Sequence, residues 1–263
     1  MVEDKVGPKE YLGIKINYDN EKRLDKFSLD TLRDRYLWEK WNEQGELEIK
    51  ETHAQEAFAR ASVFGATYKG HTDFELAQRL YEYSSKCWFM FSTPILSNGG
   101  TSRGLPISCF LNYVPDSLDG LADHYVENIW LASSGGGIGG YWGDIRSNGI
   151  STSRGSKSTG SIPFMHVVDS QMIGFNQGIT RRGSYAAYMD IWHPEIEEFI
   201  NMRKESGGDI HRKNLNLHNA VNVNKEFLKA VEEDAEYRLV DPKSKEAVKV
   251  VNARDLWWQL INA

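Results

Sequence analysis

Between residues 28 and 90 the apolar positions recur at helical spacing. A first helix is expected from Ser28, with Leu32, Tyr36 and Leu37 on one face. A second is expected from Thr52, where Gln55 three residues on completes a reciprocal capping pattern. Its apolar set is Ala54, Ala57, Phe58, Ala61 and Phe64, and Gly65 supplies a stop. Thr72 and Glu75 repeat the signature for a third helix that buries Phe74, Ala77, Leu80 and Tyr81. Ahead of these helices the chain mixes charge, Gly and Pro and predicts only a short arm or strand around Tyr11 to Tyr18. Residues 1–90 therefore read as an arm and a helical layer without candidate chemistry. Cys87 enters the apolar run Cys87-Trp88-Phe89-Met90-Phe91 and is expected to be a structural thiol at a helix end.

From residue 91 to 263 the pattern changes. Phe91 to Asp119 is rich in turn formers and reads as loops flanking a short strand. A helix is expected from Asp116, with Leu118, Leu121, Ala122, Tyr125 and Ile129 along one side. The run SSGGGIGG after it reads as a glycine-rich loop. Further helices are expected from Pro163 to about Phe175 and from Pro194 through Ile200, with Pro163 suited to a first turn. Residues 214–224 alternate and predict a strand. Asn224 and Asn252 each cap a helix, and a charged hairpin lies between them around Asp241-Pro242. Strands and helices alternating in this way indicate an α/β architecture.

The chain has 263 residues, 40% of them hydrophobic, enough for one large domain or two small ones. Its 31 basic and 37 acidic residues leave a net charge of −6 without a basic stripe, so nucleic acid is not an expected partner. No apolar run is long enough for a membrane span and the first ten residues lack a signal-peptide core, so no membrane association and a cytoplasmic location are expected. Two cysteines, Cys87 and Cys109, are too few for a zinc motif or a disulfide framework, and no metal site is expected.

Three features carry candidate chemistry. Cys109 follows Ser108 in a turn-rich segment, although no histidine stands near it in sequence. Gly135, Gly137 and Gly140 match the spacing of a dinucleotide fingerprint, but a helix rather than a strand is expected before them, which argues against a nicotinamide enzyme. Arg146 and Arg154 flank a Ser/Thr/Gly-rich loop, and Arg181-Arg182 lie in another; guanidinium groups beside hydroxyls suit phosphate.

Taken in order, STPILSNGGTSRGLPISCFL, DSLDGL, SSGGGIGGYWGDIR, NQGITRRG and YMDIWHPEIEEFI resemble the large (α) subunit of class I ribonucleotide reductase from about residue 50 onward. The resemblance implies a helical region followed by the first half of a ten-stranded α/β barrel. It implies reduction of ribonucleotides to deoxyribonucleotides by thiyl-radical chemistry. By position, Cys109 corresponds to one cysteine of the redox-active pair, Thr93 and Ser108 to residues touching substrate, and Gly137 to a glycine whose backbone lies against it. Asp116, Ser117 and Leu118 correspond to the edge of a specificity site for a deoxynucleoside triphosphate or ATP, and Arg146 and Arg154 to its phosphate-binding arginines. Asn176 to Gly183 corresponds to the loop relaying effector identity, with Gln177 and Arg181 as contacts.

The resemblance further implies homodimerisation through the helices after Asp116 and around Pro163 to Phe175. It implies a small β subunit whose dimetal centre supplies the radical, and thioredoxin or glutaredoxin as reductant; no cofactor is expected on this chain itself. The family's N-terminal ATP cone finds no counterpart. The thiyl-radical cysteine, its Asn and Glu helpers and the second redox cysteine belong to the second half of the barrel. Leu256, Trp257, Leu260 and Ile261 form an apolar face near the last residue, which also points to a split or truncated reductase completed by a C-terminal half. The alternative is a non-catalytic nucleotide-binding and dimerisation module.

Overall fold

The computed structural model describes residues 9–175 and 183–263, excluding the side chains of residues 49 and 50. Two compact units divide it, Met1–Ser108 and Cys109–Ala263, each with its own apolar core.

The first unit opens with a hairpin of β1 (Lys9–Tyr11) and β2 (Ile14–Ile16) and a 3-10 turn over Tyr18–Arg23. Helix α1 (Lys26–Arg35) starts before Ser28, because Asp25 caps it by accepting from the Ser28 amide at 2.7 Å. A hairpin of β3 (Glu39–Trp41) and β4 (Leu47–Lys50) leads to α2 (Ala54–Gly65). Here the cap is one residue later than the Thr52 signature predicts: Glu56 accepts from the amides of Thr52 and His53 at 2.6 and 3.1 Å. A short hairpin of β5 (Thr67–Tyr68) and β6 (His71–Thr72) precedes α3 (Phe74–Ser85), capped by Asp73 rather than Thr72. Ala77 and Tyr81 are buried as expected, but Phe74 is exposed because it sits in the first turn, outside the packed stripe.

Cys87 lies past the end of α3 with φ of +60° and is exposed, as are Trp88, Phe89 and Met90. The expectation of a buried structural thiol is therefore overturned: a left-handed residue turns the chain outward before Phe91 re-enters the core. The turn-rich segment also contains a short helix, α4 (Thr93–Asn98), with Pro94 in its first turn.

The second unit is built on four parallel strands in the order β7 (Cys109–Tyr113), β8 (Gly137–Tyr141), β9 (Ser184–Asp190) and β10 (His218–Asn222). Between successive strands run α5 (Leu118–Ser133), α6 (Ser161–Gly174) and α7 (Ile196–Asn201), the crossovers that parallel strands require. Beyond them lie α8 (Lys225–Glu232), a hairpin of β11 (Glu236–Val240) and β12 (Ala247–Asn252), and α9 (Ala253–Ile261), with Asn224 and Asn252 capping as predicted. A helical unit followed by neighbouring parallel strands with covering helices is the architecture of a helical layer and a partial α/β barrel.

The glycine-rich run is the main departure from expectation: Gly137–Tyr141 is a central strand, not a loop. A Cβ on Gly140 would stand 1.6 Å from the Tyr185 hydroxyl oxygen, and one on Gly139 would stand 2.8 Å from Leu111. Glycine is therefore required by side chains leaning over the strand from both neighbours, despite its low strand preference.

Helix α5 buries a face that only partly overlaps the one expected, with Leu121 and Tyr125 in common. Leu121 is buried, but so are His124, Asn128 and Ala132, whereas Leu118 and Ala122 are exposed. The two polar residues are tolerated because they bond to one another and to the sheet. Trp142 Nε1 donates to the Tyr185 hydroxyl at 2.9 Å, and that hydroxyl lies 3.0 Å from His124 Nε2. Asn128 Nδ2 lies 2.9 Å from the same nitrogen, while its Oδ1 accepts from Asn112 Nδ2 at 2.9 Å. Burial pushes the His124 pKa down to about 4, so the ring is neutral and accepts these bonds.

Candidate functional site

Strand alternation gives the parallel sheet two unlike faces. Ile138, Gly140, Tyr185, Ala187 and Met189 are buried on the helix side. Cys109, Leu111 and Tyr113 of β7 point the other way and are exposed, Leu111 by 86%. Parallel register sets Cys109 opposite Gly137 and Gly137 opposite Ser184, so the thiol stands beside a residue with no side chain. Two sequence-predicted residues, Cys109 and Gly137, thus meet at the start of adjacent strands. Farther along, Tyr113, Tyr141 and Tyr188 share one register row; the first two stack at 6.2 Å, and the Tyr141 hydroxyl donates to Asp190. Thr93, the first residue of α4, and Ser108 belong to the other compact unit and are both partly buried there.

At the opposite, C-terminal ends of β7 and β8 lies a pocket of about 480 Å³. Its lining includes all five residues predicted for the start of α5 and the arginine loop: Asp116, Ser117, Leu118, Arg146 and Arg154. Ser117 caps α5, its hydroxyl accepting from the Gly120 amide at 3.0 Å, so the positive end of a sixteen-residue helix opens on the cavity. Arg146 is held in place: its Nε donates to both Asp116 carboxylate oxygens at 2.9 Å and its Nη1 to the Ser151 carbonyl at 3.2 Å. Hydrogen bonding to Asp116 raises the Arg146 pKa further, so the guanidinium is permanently charged. Gln177 and Arg181 lie outside the described residues.

The Ser/Thr-rich segment after Arg146 is an ordered hairpin. Gly149 N donates to the Ser158 carbonyl at 2.9 Å and Ser158 N to the Ile150 carbonyl at 2.8 Å, Thr152 N donates to the Ser156 carbonyl at 2.8 Å, and Ser151 bridges Lys157. Its base is fixed by Asp241, whose Oδ1 accepts from the Ser147 amide and hydroxyl at 2.7 and 2.8 Å. Sequence reading missed Thr152, Ser156 and Lys157 as pocket residues, because the hairpin pairing that places them is set by backbone bonds rather than by any motif, and it missed Phe164, which lines the pocket from α6. Among the described residues no cluster of His, Cys, Asp or Glu is arranged to hold a metal ion, and no helix is long and apolar enough to cross a membrane.

Behind the pocket, Glu195 caps α6 from a distance: its Oε2 accepts from the Ser161 amide and hydroxyl at 2.8 and 2.9 Å. Burial is the main cause that pushes its pKa up to about 7, with Glu198 adding to the rise and the Ser161 bonds and Arg212 opposing it. A carboxyl raised above its unfolded value contributes stability that is full below about pH 4.5 and lost as pH rises through about 7. Thermal melts of the wild type and Glu195→Gln should therefore diverge with pH. The wild type is expected to lose on the order of 3 kcal/mol more than the variant between pH 5 and pH 8. Parallel melting curves across that window would contradict the assignment.

The family models agree with this division. Residues 22–104 match "Ribonucleotide reductase, all-alpha domain" and residues 107–262 match "Ribonucleotide reductase, barrel domain". The chain belongs to the ribonucleotide reductase large-subunit family. It is 50% identical over 187 residues to a Frog virus 3 chain provisionally named ribonucleoside-diphosphate reductase large subunit, covering 71% of this chain and 32% of that one. It is 36% identical over 253 residues to the large subunit of Invertebrate iridescent virus 6, covering 94% and 24%. To the α subunit of Helicobacter pylori strain 26695 it is 32% identical over 277 aligned residues, covering 96% and 34%. The chain thus spans from about a quarter to about a third of the length of these reductase relatives.

Proposed function

We propose that this chain forms the effector-binding and thiol-bearing part of a ribonucleoside-diphosphate reductase large subunit. The observation that carries the reading is the pocket at the ends of β7 and β8, where five residues assigned by resemblance to a nucleotide effector line one cavity. C-terminal ends of parallel strands are where α/β sheets bind ligands. A helix N-terminus beside three basic side chains suits a triphosphate. Bound there, a deoxynucleoside triphosphate or ATP selects the ribonucleotide reduced on the helix-free face of the sheet, and the segment from Asn176 to Gly183, with Gln177 and Arg181, relays the choice.

On that face Cys109 supplies one thiol of a redox pair, with Gly137 as a substrate contact; the resemblance also assigns substrate contacts to Thr93 and Ser108. The balance is two-electron: the ribose 2′-hydroxyl leaves as water while two thiols become a disulfide. The second thiol, the radical-forming cysteine and the remaining barrel strands come from a further half of the subunit. A dimetal β subunit supplies the radical, thioredoxin or glutaredoxin restores the thiols, and α5 and α6 pair two copies. Titrating the chain with deoxythymidine triphosphate in a calorimeter tests the reading. Saturable one-site binding that is lost in Asp116→Ala is expected; no binding by the wild type would overturn it.

A further inference from the structure

We propose that Arg103, with Leu105 and Ile107 beside it, is a docking point for the polypeptide that completes the subunit, and that an acidic side chain of that polypeptide closes on its guanidinium. The assignment rests on the reading above that a further part of the subunit exists, and it names the chemistry that holds that part. The segment between α4 and β7 keeps its own shape. Thr101 Oγ1 donates to the Asn98 carbonyl at 2.8 Å and accepts from the Arg103 amide at 3.1 Å. Asn98 Nδ2 in turn donates to the Leu105 carbonyl at 2.9 Å. An ordered turn therefore presents Arg103, Leu105 and Ile107, and both apolar side chains are exposed.

The charge on Arg103 is what asks for a partner. The side chain is half-buried; its Nη2 donates to the Tyr36 carbonyl at 3.0 Å, and its Nε is buried without a bond. Among the described residues no carboxylate forms an ion pair with it. Glu51, the acid whose charge reaches it, is already held by Arg60 at 2.7 and 3.1 Å and by the Trp38 amide at 2.8 Å. One carboxylate thus answers two guanidiniums, and a positive charge is left over. Burial, with Arg60 adding to it, draws the Arg103 pKa below the ordinary guanidinium value, although the group stays charged. A cation half out of water is stabilised by an anion, and the planar guanidinium fork suits a carboxylate. An arginine beside exposed apolar side chains is also the pattern of an interface anchor. The reductase relatives carry about two-thirds or more of their length outside the part that aligns with this chain, which is where such an acid would come from.

Two measurements on Arg103→Met test this, because the proposal moves them in opposite directions. Alone, the full-length variant should melt at or above the wild-type temperature, since an apolar side chain of similar length replaces an unanswered cation. Co-expressed with the remainder of the Frog virus 3 relative, the part outside its alignment with this chain, the wild type should co-purify with that polypeptide. The variant's affinity for it, measured by biolayer interferometry, should be weaker by about tenfold or more, the scale of a lost interfacial charge pair. A fall in the variant's own melting temperature would show that the charge is answered within this chain and would overturn the proposal. Equal affinity of wild type and variant would also overturn it while leaving the completion of the subunit standing. A wild type that captures none of the added polypeptide would overturn both.

Discussion

Replacing Arg60 by Ala destabilises the N-terminal unit by about 3–5 kcal/mol, the usual consequence of stranding one member of a buried ion pair. Arg60 is 1% exposed and Glu51 2%, beside an apolar core that includes Ala57, Phe58, Ala61, Tyr81 and Leu96. The guanidinium donates from Nε and Nη2 to the two Glu51 oxygens at 2.7 and 3.1 Å. It also donates to the carbonyls of Gly99, Leu96 and Tyr36, at 2.7, 3.1 and 3.1 Å. Glu51 meanwhile accepts from the Trp38 amide at 2.8 Å. One side chain thus ties the turn after α1, the exit of β4 and the end of α4 to the middle of α2. Truncation leaves a buried carboxylate without its cation and the Gly99 and Leu96 carbonyls without this donor, while the Tyr36 carbonyl keeps a bond from Arg103 at 3.0 Å. Urea unfolding followed by tryptophan fluorescence measures the loss. Because Glu51→Ala removes the stranded charge, the Arg60→Ala/Glu51→Ala double variant should be less unstable than the sum of the singles. A shift below about 1 kcal/mol in Arg60→Ala would show that water or a rearranged loop replaces the missing donor.

Nothing in residues 28–90 announced that pair, and the reason is general. Apolar periodicity located α2 and α3 and their buried Ala57, Phe58, Ala77 and Tyr81. It is silent about a charge inside the stripe, which is readable only once its partner from elsewhere in the chain is known. Caps were legible to within three residues: Asn224 and Asn252 stand where predicted, while Asp25, His53 and Asp73 displaced Ser28, Thr52 and Thr72. Several residues in each of these stretches can cap, and packing chooses among them. Strand β8 was not legible from composition, since its glycines answer to Leu111, Tyr185 and Tyr188 on neighbouring strands.

The pocket divides in the same way. The ordered motifs named Asp116, Ser117, Leu118, Arg146 and Arg154, and folding gathers all five around one cavity. What motifs could not give is the partition of charge within it. Arg146 and Arg154 look alike in sequence, yet one is bonded to Asp116 and the other faces the cavity without a partner among the described residues. The hairpin that brings Lys157 alongside is likewise a product of backbone pairing.

The proposed chemistry makes Cys109 the residue whose loss matters most to turnover. In an enzyme reconstituted with a polypeptide supplying the rest of the barrel, together with the radical-generating subunit and a dithiol reductant, Cys109→Ser should lower deoxynucleotide formation by at least about a thousandfold. Serine keeps the size of the side chain but cannot give up an electron by forming a disulfide, so the 2′-hydroxyl has no reductant. The sulfur is exposed beside Gly137 and supports no core, so the melting temperature and triphosphate affinity of Cys109→Ser should equal those of the wild type. That combination separates loss of a reacting group from loss of structure. The wild-type chain alone should show no turnover with a nucleoside diphosphate, because among the described residues its parallel sheet has open edges at β7 and β10 and leaves Leu111 86% exposed where a closed barrel would cover it. Retention of more than a few per cent of turnover in Cys109→Ser would remove the thiol from the mechanism and favour a module that senses nucleotides without reducing them.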